Sequence, residues 1–340
     1  MSRPSIRDLA EKAGVSVATV NRVLAGKTGV RAATRESVES AAAEIGFYGL
    51  GAIHNRNLAS RPKYRFGVLL LQPHRPFYQM TAAAFRDAAK AVQDAEIELR
   101  IEFLEDLSPQ NTADRALAMS GDCDALCVTS AVHPIVTEAL SEIDRNGTKV
   151  FALISQLSAT GQFPYIGLDN WKVGRQAAWV FANICRRPGK LGILMGNPRY
   201  RNQEMNETGF RSFFREYPTE FTLLEPLSTF ESSAVAQEMT ERLLSEHPDL
   251  AGIYVAGGGI SGTLQALRTN DMAGKLVVVG YELMEVTRAA LLDGTMTVAI
   301  AHPLRGVADL AIAGMIRAQS SRAGTQTSIV PFEIFTRENI

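Results

Sequence analysis

From Tyr64 onward, short apolar runs alternate with segments of helical periodicity, and the series is run through twice. The first pass reads Phe66-Gly67-Val68-Leu69-Leu70-Leu71, a helix over Phe77 to Asp94, then Glu98-Leu99-Arg100-Ile101-Glu102-Phe103 and a helix near Asn111 to Ser120. Ala125-Leu126-Cys127-Val128-Thr129, a helix over Pro134 to Arg145 and Val150-Phe151-Ala152-Leu153-Ile154 complete it. The second pass starts at Asp169. It has helices over Val173 to Cys185, Glu204 to Phe214, Ser232 to His247 and Gly262 to Thr269, and strands over Leu191 to Met195, Thr222 to Pro226, Gly252 to Val255 and Leu276 to Gly280. Strands alternating with helices build parallel sheets covered on both faces. The expectation is an α/β body of two similar halves. Open sheets of this kind bind ligands at the carboxyl ends of their strands, so the residues just past each strand are the candidate site.

Composition narrows the class. At 46% hydrophobic and 21% charged residues, the chain suits a soluble protein with real buried cores. No run of 18 apolar residues appears, so no membrane partner is expected, and residues 1–8 hold no apolar signal core. The expected location is the cytoplasm. Cys123, Cys127 and Cys185 are too few for a disulfide framework, and no Cys/His cluster has zinc spacing. No metal or cofactor is expected. Charge is uneven: residues 1–65 carry 11 Lys and Arg against 5 Asp and Glu, although the whole chain has net charge −1. A basic end on an acidic body fits a polyanionic partner, and equally a solvated terminus.

The first 48 residues explain that basic end. Ser5-Ile6-Arg7-Asp8 has the form of a capping box, followed by Ile6, Leu9, Ala10 and Ala13 at helical spacing and by Gly14 as a stop. Ser16 can cap a second helix over Val17 to Leu24, with Val20, Val23 and Leu24 inward. A third spans Ala32 to Ile45, ended by Gly46. Two short helices joined by a tight glycine turn form a helix-turn-helix, whose second helix can enter the major groove. A bare three-helix bundle would not need the outward Thr19, Asn21 and Arg22.

The run from Ile6 to Leu24, IRDLAEKAGVSVATVNRVL, closely resembles the DNA-binding headpiece of the LacI/GalR repressors. The resemblance implies a sequence-specific transcription regulator, in the usual mode a repressor, answering to a small effector. It places base contacts at Val17, Ala18 and Arg22. Arg22 suits guanine O6/N7, and Val17 and Ala18 can only make apolar contacts. Ser16, Thr19 and Asn21 then fall to capping and phosphate contacts, Asn21 standing where the family usually has Ser. In the family a short hinge helix follows and wedges a leucine into the minor groove. Leu58 fits that wedge, with Arg56 beside it for phosphate. Gly49 and Gly51 replace the family's Pro-Asn opening, and a plain linker is the competing reading.

In the body the resemblance implies the two-subdomain periplasmic sugar-binding fold, with the ligand between the halves. The expected boundaries are a headpiece at 1–48, a hinge at 49–63 and a body at 64–340. The body's first subdomain is placed at about 64–165 plus 298–325, and its second at about 166–297 plus 326–340. Past the first strand, Arg75, Phe77 and Tyr78 match a stretch that sets aromatics against a sugar ring; the two rings also fit helix-face core. Asp169 matches a hydroxyl-binding carboxylate and fits equally well as a helix N-cap. Counting five residues back from Gly209-Phe210 places Glu204 where sugar binders carry an arginine. Gly258 and Gly259 bring backbone N–H groups close to a ligand. Glu282 falls on a sugar-binding acid, and His302 on a polar ligand or hinge position. Three acids in one cleft favour a neutral or amino-bearing sugar or polyol over an anion.

Gly257, Gly259 and Gly262 also spell G-x-G-x-x-G, so a nicotinamide-dependent enzyme is the alternative. It would require an acid–base pair beside the cofactor, and none of the five histidines falls in such a motif. The expected partners are a pseudo-palindromic operator, a carbohydrate-like effector and a second copy of the chain. The tetramerising C-terminal apolar helix of the family has no counterpart in Thr336-Arg337-Glu338-Asn339-Ile340.

Overall fold

A computed structural model describes residues 4–25, 30–48, 61–158, 161–320 and 326–340. The chain divides into two compact units, residues 1–63 with 93–96 and residues 64–92 with 97–340.

The described residues of the first unit form three helices, α1 Ile6–Lys12, α2 Val17–Leu24 and α3 Ala32–Glu44. Their starts and stops are those that local chemistry dictates. Ser5 and Asp8 close a reciprocal capping box, with the Ser5 N–H donating to Asp8 Oδ2 at 2.7 Å. Gly14 and Gly46 carry φ +64° and +63°, left-handed values that a side chain disfavours. Leu9, Val20, Val38 and Ala42 are fully buried and join Val23 and Phe47 in one small core. The Ser16 hydroxyl accepts the Thr19 N–H at 3.2 Å. A Ser16→Ala change is therefore expected to cost this unit about 1 kcal/mol in chemical unfolding. No loss of stability would mean that the cap contributes nothing.

The second unit contains two sheets. The first has the order β12-β5-β4-β3-β1-β2, from β1 Lys63–Leu71, β2 Glu96–Leu104, β3 Ala125–Val128, β4 Lys149–Leu153, β5 Tyr165–Leu168 and β12 Ser328–Val330. The second runs β13-β11-β10-β9-β6-β7, from β6 Lys190–Met195, β7 Thr222–Leu223, β9 Leu250–Val255, β10 Val277–Tyr281, β11 Val298–Ala301 and β13 Glu333–Phe335, with β8 Leu227–Ser228 also paired to β6. The single strand expected over Thr222 to Pro226 is thus two short ones. Pro226 has no N–H to donate to a ladder, so the run breaks before it. β13 pairs with β11 in the antiparallel sense.

The chain passes between the lobes three times, each time after a strand. This corrects the expected subdomain boundaries. Ile166 to Leu168 and Ser328 to Val330 belong to the first lobe, where β5 and β12 pair in parallel. Val298 to Ala301 belong to the second, where β11 pairs with β10. A strand's lobe is set by its hydrogen-bonded neighbours, which apolar composition does not reveal.

Helices flank both sheets. In the first lobe, α4 Pro76–Ala91, α5 Pro109–Ser120 and α6 Pro134–Arg145 all start on a proline, whose fixed φ and missing N–H suit the first helical turn. The second lobe carries α7 Asn170–Ile184, α8 Arg201–Glu216, α9 Ser233–Glu246, α10 Ile260–Thr269 and α11 Glu285–Leu292; α12 Leu304–Ala318 returns to pack on α4. Helices α7 and α8 touch backbone to backbone. A Cβ on Gly174 would lie 1.9 Å from the Asn206 carbonyl oxygen, and one on Gly209 would lie 2.1 Å from that of Trp171. This contact sets the rotation of α8 about its axis, and therefore which of its side chains face the cleft.

Candidate ligand cleft and solvent-facing headpiece helix

Between the two lobes lies a cavity of about 620 Å³, within the size range of small-molecule sites. Its walls come from strand ends: Gln72 and His74 to Tyr78 after β1, Ile154 after β4, Phe230 to Ser233 after β8, Ala256 to Ser261 after β9, Glu282 after β10 and His302 after β11. The first turns of α8 add Asn202, Gln203 and Asn206. Six non-glycine residues among those described have left-handed φ: Gln72, Ile154, Phe230, Glu231, Asp271 and Glu282. All but Asp271 line this cavity. Such backbone costs of order 1–3 kcal/mol per residue and persists where the surroundings over-determine it, typically at ligand clamps.

Glu282 shows how one such residue is held. Its N–H donates to the Ile300 carbonyl at 2.9 Å, and its own carbonyl accepts the Thr287 hydroxyl at 2.6 Å. Its carboxylate receives the His302 N–H at 3.2 Å and pairs with His302 Nδ1 at 2.6 Å. Both residues are buried, at 8% and 6% exposure. A carboxylate on Nδ1 fixes the imidazole so that Nε2 is left to bond elsewhere. That Nε2 is buried without a protein partner, as are Oδ1 of Asn206 and Oδ1 of Asn202. All three residues line the cavity. Phe77 lies beside them, its ring centroid 5.6 Å from that of His302 and 5.0 Å from that of Tyr78. Desolvation pushes the hydroxyls of Tyr78 and Tyr281, both half-buried cavity residues, well above the ordinary tyrosine range.

Of the residues proposed from the sequence, Arg75, Phe77, Tyr78, Gly258, Gly259, Glu282 and His302 meet in this cavity. Asp169 and Glu204 are not among its lining residues. Asp169 caps α7, accepting the Lys172 N–H at 3.2 Å, with Lys172 Nζ also 3.2 Å away. Glu204 pairs with Arg201 at 2.5 Å and is turned away by the phase of α8. Gln203 and Asn206, three residues apart on one helical face, take the cleft instead. Glu231, with 12% of its side chain exposed, had no sequence signal: it follows no apolar pattern and lies in a short loop.

The glycine-rich turn has a role within the protein. A Cβ on Gly257 would meet Gln203 Oε1 at 2.2 Å, and one on Gly258 would meet Glu231 Oε2 at 1.9 Å. Gly259 has φ +106° at the start of α10, and a Cβ on Gly262 would lie 1.8 Å from the Ser233 carbonyl oxygen. These glycines make room for the protein's own polar groups and for the packing of α9 on α10. No group of three or more His, Cys, Asp or Glu among the described residues could hold a metal ion.

In the first unit, helix α2 presents Val17, Ala18, Asn21 and Arg22 to solvent, while Val20 and Val23 face inward. Ser16 is exposed, and its hydroxyl lies 2.9 Å from that of Thr19, so the Thr19 side chain is engaged by the cap. Arg22 has no ion pair among the described residues. Arg56 and Leu58 lie outside the described residues.

Fold and cleft together define a two-lobed α/β ligand-binding body joined in one chain to a helix-turn-helix unit. The profile of the periplasmic binding protein domain matches residues 66–322, and that of bacterial regulatory proteins of the lacI family matches residues 5–49. The chain belongs to the lacI family of bacterial regulatory proteins, with a periplasmic binding protein domain as its body. It is a DNA-binding transcription regulator. Among similar proteins is the ribose operon repressor of Halalkalibacterium halodurans, 24% identical over 82% of this chain and 80% of that one. The D-ribose/D-allose-binding protein of Pseudomonas aeruginosa is 25% identical over 66% of this chain and 67% of its own length. A periplasmic solute-binding protein of Actinobacillus succinogenes, solved with bound D-allose, superposes with a TM-score of 0.71 at 21% identity, over 82% of this chain and 99% of that one.

Proposed function

We propose that this regulator is a cytoplasmic homodimer whose affinity for a two-fold symmetric operator is set by a neutral carbohydrate or polyol bound between the lobes. The observation that carries the reading is the cavity itself. Nearly all the left-handed non-glycine backbone of the described chain gathers on its walls, together with three buried polar atoms that have no protein partner. Orphaned polar groups of this kind call for hydrogen bonds from a ligand or from ordered water. Phe77 and Tyr78 offer the apolar face on which a sugar ring can rest. Similarity to ribose- and allose-binding proteins supports the same effector class. Arg22, Val17 and Ala18 are proposed as base-reading residues, with Ser16, Thr19 and Asn21 beside the phosphates. Arg56 and Leu58 are proposed for the hinge. No catalytic role is proposed: the contacts of the Gly257–Gly262 turn are accounted for within the protein.

A thermal-shift panel of D-ribose, D-allose, D-arabinose, ribitol and ribose 5-phosphate tests the effector class. A native-state ligand at a hundred times its dissociation constant stabilises by about 2.7 kcal/mol, a rise of several degrees. At least one neutral compound is expected to produce it. A best response to the phosphate ester, or none to any neutral sugar or polyol in an extended panel, would remove this reading. Sedimentation on operator DNA is expected to give two chains per site, because one headpiece reads only a few base pairs. A single bound chain at micromolar protein would refute the dimer.

A further inference from the structure

We infer that Glu231 is a specificity-determining residue: its carboxylate occupies the anion-binding corner of the cleft and so turns anionic ligands away. The inference rests on the reading of this cavity as the effector site.

The corner is built around that carboxylate. Arg75, on the first lobe at the start of α4, reaches across the cleft and donates from Nη1 to Glu231 Oε2 at 3.2 Å. Only 21% of the Arg75 side chain and 12% of the Glu231 side chain are exposed. The other carboxylate oxygen, Oε1, accepts Gln203 Nε2 at 2.7 Å. Gln203 cannot turn its amide around, because its Oε1 accepts the backbone N–H groups of Gly196 at 2.7 Å and Asn197 at 3.1 Å. Its NH₂ end must therefore point at an acceptor, and the Glu231 carboxyl oxygen is the acceptor present. The walls are cut to the same shape. A Cβ on Gly196 would lie 1.7 Å from Glu231 Oε1, and one on Gly258 would lie 1.9 Å from Oε2. Any larger residue at either place would collide with the carboxylate. Glu231 itself holds φ +60°, beside Phe230 at +52°, so the loop bears backbone strain to deliver it.

Arg75 is the one arginine among the residues that line the cavity. A guanidinium in a cleft is the usual means of holding a carboxylate or phosphate. Here a protein carboxylate already takes that charge, and Glu282 adds a second negative group on the same wall. An incoming sugar acid or sugar phosphate would have to displace Glu231 and leave it buried beside a like charge. What remains unpaired around the cavity, His302 Nε2 and the Oδ1 atoms of Asn202 and Asn206, suits hydroxyl donors. The lining thus selects a neutral polyhydroxylated ligand, with Glu231 as the filter.

Removing the carboxylate should expose the corner. Full-length protein and the Glu231→Ala and Glu231→Gln variants are compared by thermal shift with acetate, D-gluconate and ribose 5-phosphate as probes, with Arg75→Met/Glu231→Ala as the control. Wild type is expected to show no specific rise with any of the three. Glu231→Ala should rise by about 3 °C with at least one of the carboxylates, and the double variant should lose that rise. Glu231→Gln frees the Arg75 charge at nearly constant shape, and should rise with gluconate or the phosphate ester even if the alanine variant folds poorly. Equal stabilisation of wild type and variants by anions, or no anion response in either single variant, overturns the inference. Anion binding by Glu231→Ala in a protein whose wild type answers to no neutral sugar or polyol would leave the role of Glu231 standing and remove the sugar reading instead.

Discussion

Replacing Arg22 with alanine is expected to lower affinity for a selected operator by roughly 5- to 150-fold, the equivalent of about 1–3 kcal/mol, while random-sequence DNA is bound almost as before. The reason lies in helix α2. Val20 and Val23 anchor its inner side in the three-helix core, and Arg22 is left exposed with no ion pair among the described residues. An exposed guanidinium can pair with both acceptors of a guanine edge. Phosphate contacts contribute to all DNA alike, so they cannot supply this difference. Fluorescence anisotropy on both DNAs at one fixed salt concentration makes the comparison, since charge effects vary steeply with salt. An equal loss on operator and random DNA would show that Arg22 holds phosphate and reads nothing.

The second large effect is expected at Glu282. Glu282→Ala should abolish the effector-dependent change in operator affinity and leave unliganded DNA binding near its original level. Glu282 lies in the body, and its carboxylate is what orients His302, through the 2.6 Å contact to Nδ1 and the 3.2 Å contact to the His302 backbone N–H. Without it a buried donor loses its partner, at a cost of about 1–3 kcal/mol, and the imidazole loses the contacts that fix its orientation. Coupling between two sites is reciprocal, so operator DNA should also cease to alter effector affinity in this variant. Titrating the effector with and without operator measures both halves. A full ligand response in Glu282→Ala would move the recognition away from the Glu282–His302 pair.

Much of this arrangement could be read from the amino-acid order, and the line between what could and could not be read follows the range of the forces involved. The headpiece was legible residue by residue. Capping boxes, glycine stops and the inward faces of α1 and α2 depend on neighbours three or four positions away, and the structure places them as the pattern requires. The α/β alternation was legible for the same reason, because apolar period and turn residues are local. So was the position of Arg75, Phe77, Tyr78, Glu282 and His302 just past strand ends, where they meet at one cavity.

Other features were decided only by contacts between distant parts of the chain. Glu204 and Gln203 are adjacent in sequence. Which of them faces the cleft is settled by the rotation of α8, which the close approach at Gly174 and Gly209 imposes. Asp169 could have served as ligand or cap, and α7 begins where its carboxylate caps the Lys172 N–H. The lobe to which β5, β11 and β12 belong is set by strand pairing, which apolar runs of similar composition do not encode. Glu231 was invisible because its meaning depends on Arg75, 156 residues earlier and in the other lobe, and on glycines that merely leave space. By itself the sequence determined the headpiece helices, the solvent-facing side of α2 and most of the α/β alternation, since short-range periodicity and capping suffice for these. The tertiary structure alone decided the charge balance inside the cleft, because a carboxylate's role there is set by the groups that folding brings within hydrogen-bonding distance.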